Sequence, residues 1–136
     1  MTDIDLDATR RVHELMPYTH LLGLEVERFD AEEVRARIGW AAERCTSNGV
    51  LHGGVLMSLA DSLGAMVAFA NLPADATGTT TVSSATNFLR GVSSGAVHGT
   101  SRALHKGRTT IVADTELFDD AGRLVGRVTQ TQLFLR

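Results

Sequence analysis

The stretch His52-Gly53-Gly54-Val55-Leu56-Met57-Ser58-Leu59-Ala60-Asp61-Ser62-Leu63-Gly64-Ala65-Met66-Val67-Ala68-Phe69-Ala70 decides the fold. Val55, Leu59, Leu63, Met66 and Ala70 recur at helical spacing, and Ala60, Gly64 and Ala68 add a stripe of very small residues that lets another backbone come close. A helix apolar on most sides is expected to be buried, and its natural wrapping is a curved sheet. Asp61 is the one formal charge between Gly53 and Ala70. Burying a carboxylate there is costly unless the fold pairs it or chemistry uses it.

Upstream, Ala8 to Met16 suits a short helix stopped by Pro17. Leu24 to Arg28 alternates, Phe29 to Glu32 supplies a polar turn, and Val34, Ala36, Ile38 and Trp40 share one face of a second strand, which reads as a β-hairpin. The polar stretch Ala41 to Leu51, with Ser47-Asn48-Gly49, is a loop delivering the chain to the central helix. Pro73 to Gly78 ends that helix. Four β-type segments follow, Thr79 to Leu89, Gly95 to Leu104, Thr109 to Phe118 and Arg123 to Leu135, separated by turn-like connections. Short connections favour antiparallel pairing. The expected fold class is therefore α+β, a curved antiparallel sheet around one long central helix.

A chain of 136 residues has the size of one domain, residues 1 to 136, with one sizeable core. The 43% apolar and 21% charged composition is that of a soluble globular protein. A net charge of −3 with dispersed basic residues disfavours nucleic acid as the partner. The acidic start MTDIDLDATR lacks the order of a signal peptide, and the run Leu63 to Ala70 falls short of a membrane span, so a cytoplasmic protein without a membrane partner is expected. Cys45, the lone cysteine, forms no internal disulfide, and no His/Cys spacing suggests a metal.

Gly53 and Gly54 open the helix, where unpartnered N–H groups and the macrodipole favour negative charge. A carbonyl oxygen aimed at them would be stabilised as it becomes an oxyanion, although a tight loop-to-helix turn also calls for glycine. Asp61 follows Gly53 by eight positions. At about 1.5 Å per residue that is ~12 Å along one helix axis, too far for one reacting carbon. If the two residues act together they belong to different chains, and a two-fold dimer supplies two such sites. The alternative for Asp61 is a structural carboxylate paired with an arginine or a backbone group. His52 either positions a substrate carbonyl or braces the loop. Arg90, Lys106 and Arg108 lie at strand ends or turns, where they form either a positive rim suited to phosphate or ordinary surface charge. His13, His20, His98 and His105 show no ligand pattern, and Ser58 and Ser62 sit in no nucleophile elbow.

From about His20 to Leu135 the chain resembles the hotdog-fold acyl-CoA thioesterases, in particular the branch of the phenylacetate-pathway and 4-hydroxybenzoyl-CoA enzymes. The resemblance is carried by His52-Gly53-Gly54, the helix acid Asp61, Asn87-Phe88-Leu89-Arg90, and His105-Lys106-Gly107-Arg108-Thr109. It implies a sheet wrapped round the helix and a homodimer with sites at the subunit interface, often as a dimer of dimers. It further implies hydrolysis of an acyl-CoA thioester without metal or organic cofactor. In that implied site Gly53 polarises the thioester carbonyl, Asp61 of the partner is nucleophile or general base, His52 and Gly54 lie near the thioester, and Arg90, Lys106 and Arg108 bind the CoA phosphates. Some relatives carry Glu at the position of Asp61. A hydratase or dehydratase of the same fold would be expected to carry a proline-rich turn, and the only prolines are Pro17 and Pro73. A non-catalytic CoA-binding module is the remaining alternative, against which the acid at Asp61 argues.

Overall fold

The computed structural model describes residues 3–136. Asp5 caps helix α1 (Leu6–Leu15) by accepting the Ala8 N–H at 2.9 Å. Pro17 does end that helix, but it also begins another, α2 (Pro17–Leu21). Its fixed φ suits the first position of a helix, and Thr19 Oγ1 ties the junction by donating to Met16 O at 2.7 Å. The hairpin pairs β1 (Glu25–Phe29) with β2 (Val34–Gly39), Phe29 opposite Val34. The loop expected over Ala41 to Leu51 holds two short 3₁₀ turns and a bridge between Cys45 and Leu51.

Central helix α3 runs from Gly53 to Ala70, followed by β3 (Gly78–Phe88), β4 (Ala96–Lys106), β5 (Thr110–Phe118) and β6 (Leu124–Leu135). All six strands form one antiparallel sheet in the order β1-β2-β4-β5-β6-β3. The last four strands are thus not a simple meander. β3 lies at the far edge beside β6, Phe88 opposite Gly126, while β4 crosses over to pair with β2. The crossing segment is pinned where Leu51 N–H donates to Val92 O and Trp40 N–H to Gly95 O, with Val92 buried.

α3 is long and apolar enough, at mean hydropathy 1.5 over 18 residues, to pass for a membrane span by length and composition, yet half of it is buried within the protein. Leu56, Leu59, Leu63, Met66 and Val67 meet Val34, Ala36, Ile38, Val97, Ile111, Leu117 and Val128 of the sheet in one core. The small-residue stripe admits a strand rather than another helix, since a Cβ on Gly64 would overlap the Gln130 side chain of β6. Gly99 on β4 answers from the other side, for a Cβ there would strike Leu63. These close approaches let the sheet curve tightly onto the helix.

Candidate functional site

α3 begins at a built cap. His52 is its N-cap residue, and His52 Nδ1 accepts the Gly54 N–H at 2.8 Å. The acceptor role leaves Nδ1 unprotonated and puts the ring proton on Nε2. Of the two glycines proposed as donors, Gly54 is therefore committed within the chain. The Gly53 N–H donates to no group among the described residues. Phe88, at the end of β3, packs its ring over Gly53, closely enough that a Cβ there would press on it. Gly53, Leu56, Phe88, Leu89 and Arg90 line one cleft of about 390 Å³. The helix start and Arg90 are thus brought together.

Asp61 is exposed, which corrects the expectation of a buried charge. It occupies the strip of α3 that the sheet leaves uncovered, with Met57, Ser58, Thr81 and Ser84 around it in a shallow cavity of about 310 Å³. Asp61 Oδ1 accepts from Thr81 Oγ1 at 2.7 Å and from Gln130 Nε2 at 3.2 Å. Oδ2 takes no hydrogen bond from the described residues. Thr81 Oγ1 accepts in turn from Gln132 Nε2 at 2.5 Å. The carboxylate is held by one oxygen and presents the other.

Thr81, Gln130 and Gln132 were not among the sequence candidates. The two glutamines had a legible signal, since Val128, Gln130, Gln132 and Phe134 alternate on one face of β6, and all four are buried. A pair of amides on a core face is an anomaly that asks for a partner. Tyr18 was missed as well; its hydroxyl lies 3.0 Å from Ser58 Oγ and brings α2 to the edge of the Asp61 strip. One turn beyond Asp61, an apolar cavity of about 220 Å³ is lined by Leu15, Met16, Ala65, Met66, Phe69 and Thr79, among others.

Arg90, Lys106 and Arg108 do not form one rim within a protomer. Arg90 follows β3, where its N–H meets Val125 O at the start of β6, beside the end of β5. Arg108 precedes β5, where its carbonyl accepts from Arg136. The length of β5, nine residues, separates them by about 26 Å. All three side chains are exposed and make no ion pair with the described residues. The cleft with Gly53 likewise excludes Asp61. No group of three His, Cys, Asp or Glu side chains that could hold a metal occurs among the described residues.

Comparison with known proteins places this geometry. The family profile described as "Thioesterase superfamily" matches residues 48–126. Rv1847 of Mycobacterium tuberculosis is 32% identical over 123 residues, 89% of this chain and 88% of that one. Its solved structure superposes with a TM-score of 0.85. The solved structure of a variant of thioesterase PA1618 from Pseudomonas aeruginosa is 31% identical, covers 96% of this chain and 94% of its own, and gives a TM-score of 0.87. The PaaI protein of the Escherichia coli phenylacetic acid degradation operon shares the fold at 19% identity, with a TM-score of 0.82 over 93% of this chain and 90% of that one.

Proposed function

The chain belongs to the thioesterase superfamily, and we propose that it hydrolyses acyl-CoA thioesters at a site shared between two copies. The observation that carries this reading is the separation of the parts. Gly53 offers an uncommitted N–H in one cleft, and Asp61 offers a free Oδ2 in another.

A second copy supplies the missing half of each site. β3 has one neighbour, β6, so eleven residues of strand present an open edge. Val82 and Phe88 on it are 57% and 53% exposed. Such an edge is a template for pairing with another chain. Two-fold antiparallel pairing of β3 with its copy sets the Thr81 end of one strand beside the Phe88 end of the other. Asp61 sits beside Thr81 and Gly53 beside Phe88. The pairing therefore carries Asp61 toward the Gly53 of the second copy. It also brings Arg90 toward the other chain's Lys106 and Arg108, which supports a phosphate rim built from two protomers.

In the reaction, the thioester carbonyl oxygen lies against the Gly53 N–H, which stabilises the oxyanion as the carbonyl carbon is attacked. Asp61 Oδ2 takes the proton of an attacking water or attacks the carbon itself. Collapse of the tetrahedral adduct breaks the C–S bond, and CoA leaves as the thiol after gaining a proton. Direct attack leaves an Asp61 anhydride that water then opens to the same acid. These steps draw on no metal or organic cofactor. The apolar cavity one turn past Asp61 receives the acyl group.

Mixing two inactive variants tests the reading. Asp61→Asn removes the base, and Gly53→Val drives a side chain into Phe88 and blocks the donor. Each alone is expected to release no thiol from hexanoyl-CoA. Co-refolded together, half of the dimers are mixed and carry one intact site of two, so activity recovers to about a quarter of wild type. No recovery in dimers proven to be mixed would overturn the shared site, and wild-type turnover by Asp61→Asn would overturn the role of Asp61.

A further inference from the structure

Gln130 and Gln132 are 1% and 0% exposed, in an interior that is mainly apolar and whose fully buried Ser101 and Thr115 satisfy each other by a hydrogen bond. Each keeps one end paired and one end orphaned. The Nε2 of Gln132 donates to Thr81 Oγ1 and that of Gln130 to Asp61 Oδ1, while both Oε1 atoms are buried without a partner. A buried carbonyl left unpaired is unfavourable, and Leu or Met in the same space would carry no such penalty. Violations of this kind are expected where a side chain serves something other than stability.

The direction of the hydrogen bonds says what is served. A threonine hydroxyl has one hydrogen. Because Gln132 gives an N–H to Thr81 Oγ1, that oxygen acts as acceptor toward Gln132, and its own hydrogen is left for Asp61 Oδ1, 2.7 Å away. Turned over, the Gln132 amide would present a carbonyl that competes for the same hydrogen. The buried amide thus commits the hydroxyl to the carboxylate. Gln130 fixes the same oxygen from the other side, and its Nε2 also lies 3.4 Å from the Asp61 carbonyl. Together they fix the rotation of the carboxylate and point Oδ2 away from the sheet, on a strip of helix that is otherwise exposed and free to change rotamer.

We propose that Gln132 is a positioning residue for Asp61: acting through the Thr81 hydroxyl, it holds Oδ1 so that Oδ2 faces the substrate. This rests on the catalytic reading of Asp61 given above. Gln132 touches neither substrate nor carboxylate. Its effect is on how often Asp61 stands in the productive orientation, and a displacement of about 1 Å in such a group costs up to 100-fold in rate.

The test is a cycle on Thr81 and Gln132, with hexanoyl-CoA as the probe and free thiol as the readout. Gln132→Met and Thr81→Val are each expected to lower kcat by roughly 10- to 100-fold with KM nearly unchanged. Thr81→Ser, which keeps the hydroxyl, retains most of the activity. In the Thr81→Val background, Gln132→Met causes no further loss, because the hydroxyl through which Gln132 acts is already gone. Full kcat in Gln132→Met, or a second independent loss in the double variant, would overturn the proposal. Should Gln132→Met alone fail to fold, the comparison of Thr81→Val with the double variant still decides, since the double variant leaves no buried donor facing an empty acceptor. Asp61→Asn, run beside them, separates the failures: if it hydrolyses as wild type the catalytic reading falls, and if it is dead while Gln132→Met is unimpaired only the relay falls.

Discussion

Gly64 faces the Gln130 amide so closely that a Cβ there would overlap the carbon, nitrogen and oxygen at the end of that side chain. The glycine of the small-residue stripe is therefore the space in which the carboxylate's support sits. Gly64→Ala trades two opposing effects. Helix propensity improves by about 1 kcal/mol, and overpacking costs about 1–3 kcal/mol. The expected net loss of stability is at most about 2 kcal/mol by denaturant titration, while kcat falls at least tenfold because Gln130 is pushed off Asp61 Oδ1. A variant with wild-type kcat would show that Gln130 does not matter to the site.

Much of this was legible from local sequence. The 3.6-residue period from Val55 to Ala70 and the glycines before it located α3 at its observed bounds, because both signals depend on neighbours along the chain. The pairing of β3 with β6 was not legible. Alternation identifies a strand but not its neighbour, and the Arg90 to Gly95 connection reads as a turn whether or not the chain crosses over. The exposure of Asp61 was hidden for a related reason: α3 is apolar nearly all round, so its sequence does not say which strip the sheet leaves bare. Gly53, His52 and Asp61 stood out as candidates because each is odd where it stands. Thr81 was missed because a threonine in a strand is ordinary, and its bonds to Asp61 and to Gln132, fifty-one positions away, exist only once the strands and helix are assembled.

The His52 cap separates two roles of one side chain. His52→Ala removes the acceptor for the Gly54 N–H and is expected to cost about 1 kcal/mol of stability. His52→Asn keeps a capping oxygen and recovers most of that loss. The ring Nε2 is absent from both. If His52 also positions the thioester, hydrolysis by His52→Asn stays well below wild type although its stability returns. Recovery of both together would make His52 a cap alone.

Acid stability follows from three aspartates, Asp30 and Asp75 on the surface and Asp119 largely covered. The Arg123 backbone N–H, helped by its guanidinium, holds Asp119 below the ordinary carboxylate range against the opposing effect of desolvation. Arg28 does the same for Asp30, and Arg136 for Asp75. A carboxyl whose folded pKa is lowered stabilises the fold above its unfolded pKa, and that contribution disappears as pH falls through the folded value. The thermal midpoint is therefore expected to be level from about pH 7 to 5 and to drop below about pH 4. Asp119→Asn should lower the midpoint at pH 7, and its gap from wild type should narrow as pH falls below about 4. A gap that does not narrow at all below about pH 4 would mean that Asp119 stabilises the turn by geometry rather than by charge.

On the proposed reaction, the apolar cavity past Asp61 makes the acyl group the variable part of the substrate. Its side chains are Val, Leu, Met, Phe and Ala, with Thr79 as the one polar member, so it offers almost nothing to a hydroxylated or charged acyl group. Each methylene buried there is worth about 0.8 kcal/mol, which is roughly fourfold in kcat/KM. Rates measured from acetyl- to hexanoyl-CoA should climb by about that factor per methylene until the cavity fills. Ala65 lies one helical turn from Asp61 and at the cavity wall, so Ala65→Leu shortens the space without touching the carboxylate. Turnover of hexanoyl-CoA should then fall much more than that of acetyl-CoA, flattening the series. Equal losses across the series would place the acyl group elsewhere, and a preference for 4-hydroxybenzoyl- over hexanoyl-CoA in the wild type would do the same, because no donor or acceptor beyond Thr79 stands in this cavity to meet the hydroxyl.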